Sequence, residues 1–436
     1  MSEHLQSWFD LAQAQAPQLP GAKVPWLSGL RRNALERFMT EGWPTTRHPD
    51  WRHTSLGFMQ QHQFTGTVGG ASTFSLNAYA QGQGGHWMVF VDGRFAAGLS
   101  RIADLPAGVC IAPLAQVMAG DPERLEQVLG QADQGGSPQA LNLAMAADGV
   151  FLEITAGVSL PEPLHVVHVA SSPLAASFPR HVALLGQGAQ AVLVEHYVGT
   201  SESATLTNAS LLGYVQRDAR LTHLKLQQEH QQAFHLASID IQQEQGSTYE
   251  SHSLSFGARL ARNDISTRFN GPRCHTLLNG LFYADGRRHV DHHTRIDHAQ
   301  PDSTSQEHYR GILADSAQGV FTGRIQVRPG ADGTDAVQRS DNLLLSRTAR
   351  VTTQPELEIY ADDVKCAHGA TVGQIEEESL FYLRSRGLSE AHAQGVMTYA
   401  FAAQAVKRIG LEPMRRRIAS TVQGLLPGGH LLGEIS

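Results

Sequence analysis

From about residue 150 to residue 360 the chain delivers one short run rich in Val, Leu, Ile, Phe and Tyr after another, each cut off by a polar or glycine-containing break. The runs fall at 151–154, 164–170, 181–185, 191–197, 205–213, 221–227, 233–241, 250–256, 277–283, 288–296, 307–313, 318–327, 341–345 and 356–360. None grows into a long amphipathic helical pattern, so the stretch predicts an all-β region. A sandwich of ordinary size needs fewer strands, whereas this supply suits a parallel β-helix or a large double sheet. Where polar residues alternate, as at Ala204-Thr205-Leu206-Thr207, one face meets a core and the other meets water or a polar neighbour. No strict short repeat is visible; the β-helix reading rests on strand supply.

The flanks are helical. Trp8, Phe9 and Leu11 form a small apolar face, and Trp26, Leu27, Leu30, Ala34, Leu35, Phe38 and Met39 recur at helical spacing until Gly42 and Pro44 stop them. Residues 46–54 are polar with one large aromatic, an exposed turn pinned by Trp51. Residues 66–85 form a loop or weak linker, and His86 to Asp92 is a strand ending in the turn Asp92-Gly93-Arg94. A helix over Pro122 to Leu129 is capped by Asp121. Beyond Gly373, helices are expected over Glu376 to Arg384, from Ser389 through Arg408, and from Pro413 to a stop at Pro427-Gly428-Gly429. The expected division is therefore 1–149, a mixed helical region; 150–373, the β core; and 374–436, a helical docking module. Arg384, Arg386, Lys407, Arg408, Arg415, Arg416 and Arg417 bias that module toward positive charge, which fits an acidic partner surface or a solvated helix face equally.

Overall charge excludes some classes. With 34 basic against 41 acidic residues the formal charge is -7, which argues against a general nucleic-acid binder. Three cysteines, Cys110, Cys274 and Cys366, are too few for a disulfide scaffold or a self-sufficient four-thiolate site. No basic leader precedes an apolar run and no stretch approaches a membrane span, so a soluble, cytoplasmic protein is expected. Gly186-Gln187-Gly188 lacks the third glycine of a dinucleotide fingerprint, and neither a phosphate-binding loop nor a nucleophile elbow occurs.

The densest chemistry lies at Tyr360-Ala361-Asp362-Asp363-Val364-Lys365-Cys366-Ala367-His368-Gly369. Cys366 and His368 are two residues apart, so on an extended strand they share a face. With Cys274 or a partner's ligands they could bind a soft metal or a sulfur species, but alone they cannot close a four-ligand site. The plainer alternative is a buried thiol and a hydrogen-bonded imidazole. His289, His292, His293 and His298 match no metal motif, and on a strand His292 and His293 face opposite ways. Structural histidines are the better reading there, and Cys274-His275 reads as a turn entering a strand.

Residues 355–373, followed by Phe381-Tyr382-Leu383-Arg384-Ser385-Arg386-Gly387, closely resemble the C-terminal signature of the SufB/SufD family of iron-sulfur cluster assembly proteins. Similarity extends to Arg47-His48-Pro49-Asp50-Trp51-Arg52 and Val91-Asp92-Gly93-Arg94-Phe95, hence nearly the full chain. Length, the helical N-terminus and the lack of an N-terminal cysteine cluster resemble the SufD branch more than the SufB branch. The resemblance implies a right-handed parallel β-helix core flanked by N-terminal and C-terminal helical regions, and no catalytic activity in the isolated chain. It implies a SufB-like subunit and a SufC-like ATPase subunit as partners, and a homodimer is one form open to the isolated chain. Helices of roughly 374–425 would dock the ATPase, and the last β-helix rungs would join the SufB-like subunit. Cys366 and His368 would then serve a transient iron-sulfur cluster at the subunit interface, the carry-over being firmer for His368. A β-helix also carries polysaccharide lyases and hydrolases, and a purely structural adaptor would leave both residues passive.

Overall fold

A computed structural model describes residues 3–66, 73–130 and 135–426. Beyond residue 180 successive long strands alternate between two sheets. In the first, parallel neighbours run from Leu164–Ala170 through Gln190–Gly199, Arg220–Gln228, Thr248–Ser255, His275–Ala284, Thr304–Leu313 and Thr334–Leu344 to Val364–Gly373. In the second they run from Val150–Ile154 through Arg180–Leu185, Leu206–Val215, Phe234–Gln243, Leu260–Phe269, His289–His298 and Gln318–Val327 to Arg350–Ile359. Each turn gives one strand to each sheet, which makes a parallel β-solenoid of about eight turns. The expected β-helix is thus present.

Stacked corners hold the register. Gly188, Asp218, Gly246, Arg273, Asp302 and Gly333 all take left-handed backbone angles, with φ between 57° and 73°. Their N–H groups donate to Arg217, Gln245, Pro272, Pro301, Asp332 and Asp363 carbonyls of the next turn, at 2.7–3.2 Å. The ladder of strand hydrogen bonds therefore continues around the bend, and glycine or a short polar side chain suits the conformation there. Gly186-Gln187-Gly188, unconvincing as a nucleotide loop, is one of these corners.

Inward side chains fill the solenoid with Leu193, Leu221, Tyr249, Leu278, Tyr309, Phe321, Ile325 and Val327 among others. Its early end is capped. Arg94–Phe95 pairs antiparallel with His86–Val91, and Val109–Pro113 antiparallel with Val150–Ile154. Helices Pro25–Glu41 and Ser137–Met145 share an apolar cluster with Phe178, Leu206 and Phe234 of the solenoid.

Three C-terminal helices follow the last strand, close to their expected limits: Glu377–Ser385, Glu390–Val406 and Glu412–Leu425. Ser389 caps the second, accepting from the His392 N–H at 3.3 Å. The expected stop at Pro427-Gly428-Gly429 lies outside the described residues, as does part of the 66–85 loop, whose described portion includes the single helical turn Leu76–Tyr79. The second and third helices lie on the first sheet: Ala402, Ala405, Val406, Ile409, Met414, Ile418 and Val422 pack against Leu224, Leu226, Leu254, Leu281 and Ile312. The first buries none of its residues.

Candidate functional site

Among the described residues the solenoid ends without a cap. Among the described residues, Arg350–Ile359 and Val364–Gly373 each pair on one side only, so the last turn presents two free sheet edges. Unpaired strand edges are sticky, and a stacked fold needs them covered. Apolar side chains of this last turn are exposed, Tyr360 at 60% and Val372 at 50%, as are Phe381 at 72% and Tyr382 at 56% on the helix that follows.

Cys366 and His368 sit on this final strand. In register, Cys366 lies over Ala336 and His368 over Gln338. Cys366 is half-buried and packs against the apolar interior, so residues of its parity face the open lumen. His368, two positions on, has the same parity and is exposed. Burial, with help from the negative charge of Asp335, pushes the Cys366 thiol up from its ordinary value. A thiol held protonated is a weak nucleophile and a poor ligand until something lowers its pKa. Asp362 and Asp363 are exposed at the preceding corner, where the Asp363 carbonyl accepts from the Gly333 N–H at 2.7 Å.

Beneath His368 the lumen is polar. The Gln338 amide donates to the Glu307 carboxyl at 2.5 Å, both buried, and Glu307 occupies the position under Gln338. Burial pushes the Glu307 carboxyl up to about 7, against opposing hydrogen bonds from Thr294 and Gln338. Nothing in the run 307–313 distinguishes this inward glutamate from an outward one except parity, and parity cannot be anchored without the corners.

The other candidates are dispersed. Cys274 lies in a corner three rungs from Cys366, about 14 Å at ordinary strand spacing. Its buried thiol donates to the carbonyls of Gly271 and Glu244, both at 3.1 Å. The histidines of His289–His298 diverge as strand alternation requires. His292 is buried against Phe282 and Tyr309, His293 pairs with Asp291 at 3.2 Å, and His298 meets the Ser305 hydroxyl at 2.9 Å. Among the described residues no three His, Cys, Asp or Glu side chains gather as a metal site. The pair Cys366 and His368 supplies two donors at most.

The N-terminal polar turn is pinned by Trp51, which is buried. The Arg262 guanidinium lies 3.9 Å from its ring centroid and donates to the Asp50 carbonyl at 2.8 Å. Arg262 also donates to Asp291 at 2.6 Å, and the Thr54 hydroxyl donates to the same carboxylate at 2.5 Å.

Sequence comparison agrees with this architecture. Residues 167–401 match the family model described as SUF system FeS cluster assembly, SufBD core domain, and residues 2–166 match the SufBD protein N-terminal region. The iron-sulfur cluster assembly protein SufD of Escherichia coli is 32% identical, over 98% of both chains. A SufBD family protein of Synechocystis is 29% identical over 94% of both, and the chloroplastic protein ABCI7 of Arabidopsis thaliana 28% identical over 93% of this chain and 87% of its own. Among the described residues no helix is long and apolar enough to cross a membrane.

Proposed function

The chain belongs to the SufBD family of iron-sulfur cluster assembly proteins, and on that premise we propose that it is the SufD-like partner of a SufB-like subunit, meeting it across the open end of the solenoid. The observation that carries this reading is the uncapped last turn, which places Cys366 and His368 beside two unpaired strand edges. A second subunit that adds its own strands would satisfy those backbone groups and bring further ligands over the same face. The cluster is cargo, held by donors from both chains: Cys366 and His368 give two, and the partner completes the set.

A SufC-like ATPase docks on helix Glu377–Ser385. Helices Glu390–Val406 and Glu412–Leu425 have spent their apolar faces on the first sheet, which leaves Phe381 and Tyr382 for an external partner. Only Gln374-Ile375-Glu376 separate that helix from the strand of His368. Movement of the docked helix on ATP binding is therefore passed to the edge strand and alters how the two subunits present Cys366 and His368.

Alanine at His368 tests the reading. Reconstituted with both partners, the variant is expected to assemble normally and to yield less cluster. Unchanged cluster content would support the adaptor reading, in which the pair is passive. Family membership displaces the carbohydrate-active reading.

A further inference from the structure

On the second sheet, at the corner opposite the one described above, the N-terminal turn and the solenoid enclose a groove of about 370 Å³. Volumes of this order hold small ligands. Its lining is Thr46, Arg52, His53, Ser55 and Phe58 from the turn, and Phe234, Arg259, Leu260, Arg287, His289, Ser316 and Gln318 from the solenoid. Three are arginines, two are histidines and none is a carboxylate. Among the described residues none of the three guanidiniums makes an ion pair; Arg259 instead lies 4.7 Å from the Phe58 ring centroid. Neighbouring carboxylates are engaged elsewhere: Asp285 with Arg288 at 2.9 Å, Asp315 with the Gly286 N–H at 3.0 Å, and Asp291 with Arg262 and Thr54.

The groove is also held in shape. The Thr54 hydroxyl meets His289 Nε2 at 2.9 Å, and Trp51 is clamped under Arg262, so the turn cannot drift from the sheet without breaking buried contacts. His53 Nε2, on the same turn, is buried without a hydrogen-bond partner. Unpaired guanidiniums drawn from separate elements, beside hydroxyls and over an apolar floor of Phe234 and Leu260, form a receptor for a multiply charged oxyanion.

We propose that this groove binds a pyrophosphate-type anion, free or as part of a larger phosphate ester, with Arg52, Arg259 and Arg287 as its charge partners. Three cationic side chains exceed what a singly charged anion neutralises, and guanidinium forks match phosphate oxygens in pairs. The site lies on the other sheet from His368 and is independent of the cluster reading.

Calorimetric titration of the full chain at low salt, with inorganic pyrophosphate and separately with ADP, tests this. Saturable one-to-one binding is expected, weakened at least tenfold in Arg259→Gln/Arg287→Gln and unchanged in Arg295→Gln, an exposed arginine farther along the same sheet. Tighter binding of ADP would assign the ester form, and equal or tighter binding of pyrophosphate the free anion. The exposed single substitution Arg287→Gln guards against misfolding, and its melting curve should overlay the parent's. Absence of binding by both probes, or equal weakening by Arg295→Gln, would overturn the proposal.

Discussion

Gln338, one register step beneath His368, donates a 2.5 Å hydrogen bond to the buried carboxyl of Glu307 on the strand below it. Burial raises that carboxyl from its usual 4.5 to about 7, so the folded protein holds a proton that the unfolded chain has released between these values. The resulting stability is full below 4.5 and is lost as pH rises through 7, with a ceiling of about 3 kcal/mol. Glu307→Gln mimics the protonated form and should abolish this component. Urea midpoints at pH 5, 6, 7 and 8 should show the variant gaining on the parent as pH rises. A constant difference across the range would contradict the protonation assigned to Glu307.

Trp51 joins the N-terminal turn to the solenoid through Arg262. Trp51→Ala removes a buried ring and the face on which the guanidinium rests, and should cost about 3–5 kcal/mol. Arg47→Ala, four residues away and exposed, should stay within about 0.5 kcal/mol of the parent. Equal urea midpoints for the two variants would show that the turn is not anchored as described.

Variants of the C-terminal helices separate stability from the proposed docking. Ile418 is buried against the first sheet, so Ile418→Ala should destabilise by about 2–5 kcal/mol. Phe381→Ser with Tyr382→Ser, on a helix that buries nothing, should leave the melting curve close to the parent's and abolish co-purification of the ATPase partner. Retention of the ATPase by the double variant would move its docking site elsewhere.

Much of the fold is legible in the chain because its cause is local. Runs of β-branched and aromatic residues punctuated by turn residues dictate strands, and helical spacing with a capping Ser389 dictates the C-terminal helices. The pairing is not local. That residue 338 lies between 307 and 368 depends on the length of every corner, and the corners are set by left-handed residues as unlike as Gly246, Arg273 and Asp302. Inward polar residues were hidden for the same reason. Lys225, within the run 221–227, is buried in the lumen and bonded to His235 at 2.6 Å and Asn263 at 2.7 Å, yet its type alone would assign it to the surface. Cys366 and His368 were readable as a pair because two residues on a strand share a face; that their strand is the last, and open, required the whole stack. The arginine groove joins Arg52 to Arg259 and Arg287, which no sequence window brings together.

Alkylation of Cys366, followed by mass spectrometry at pH 8.5 in the free chain and in the complex with the SufB-like subunit, tests the half-site most directly. Half-buried at an open edge, the thiol should react slowly but measurably in the free chain and at least tenfold more slowly once the partner covers the last turn, while Cys110 reacts at the same rate in both. Equal modification of Cys366 in the two states would contradict the placement of the interface over Cys366 and His368.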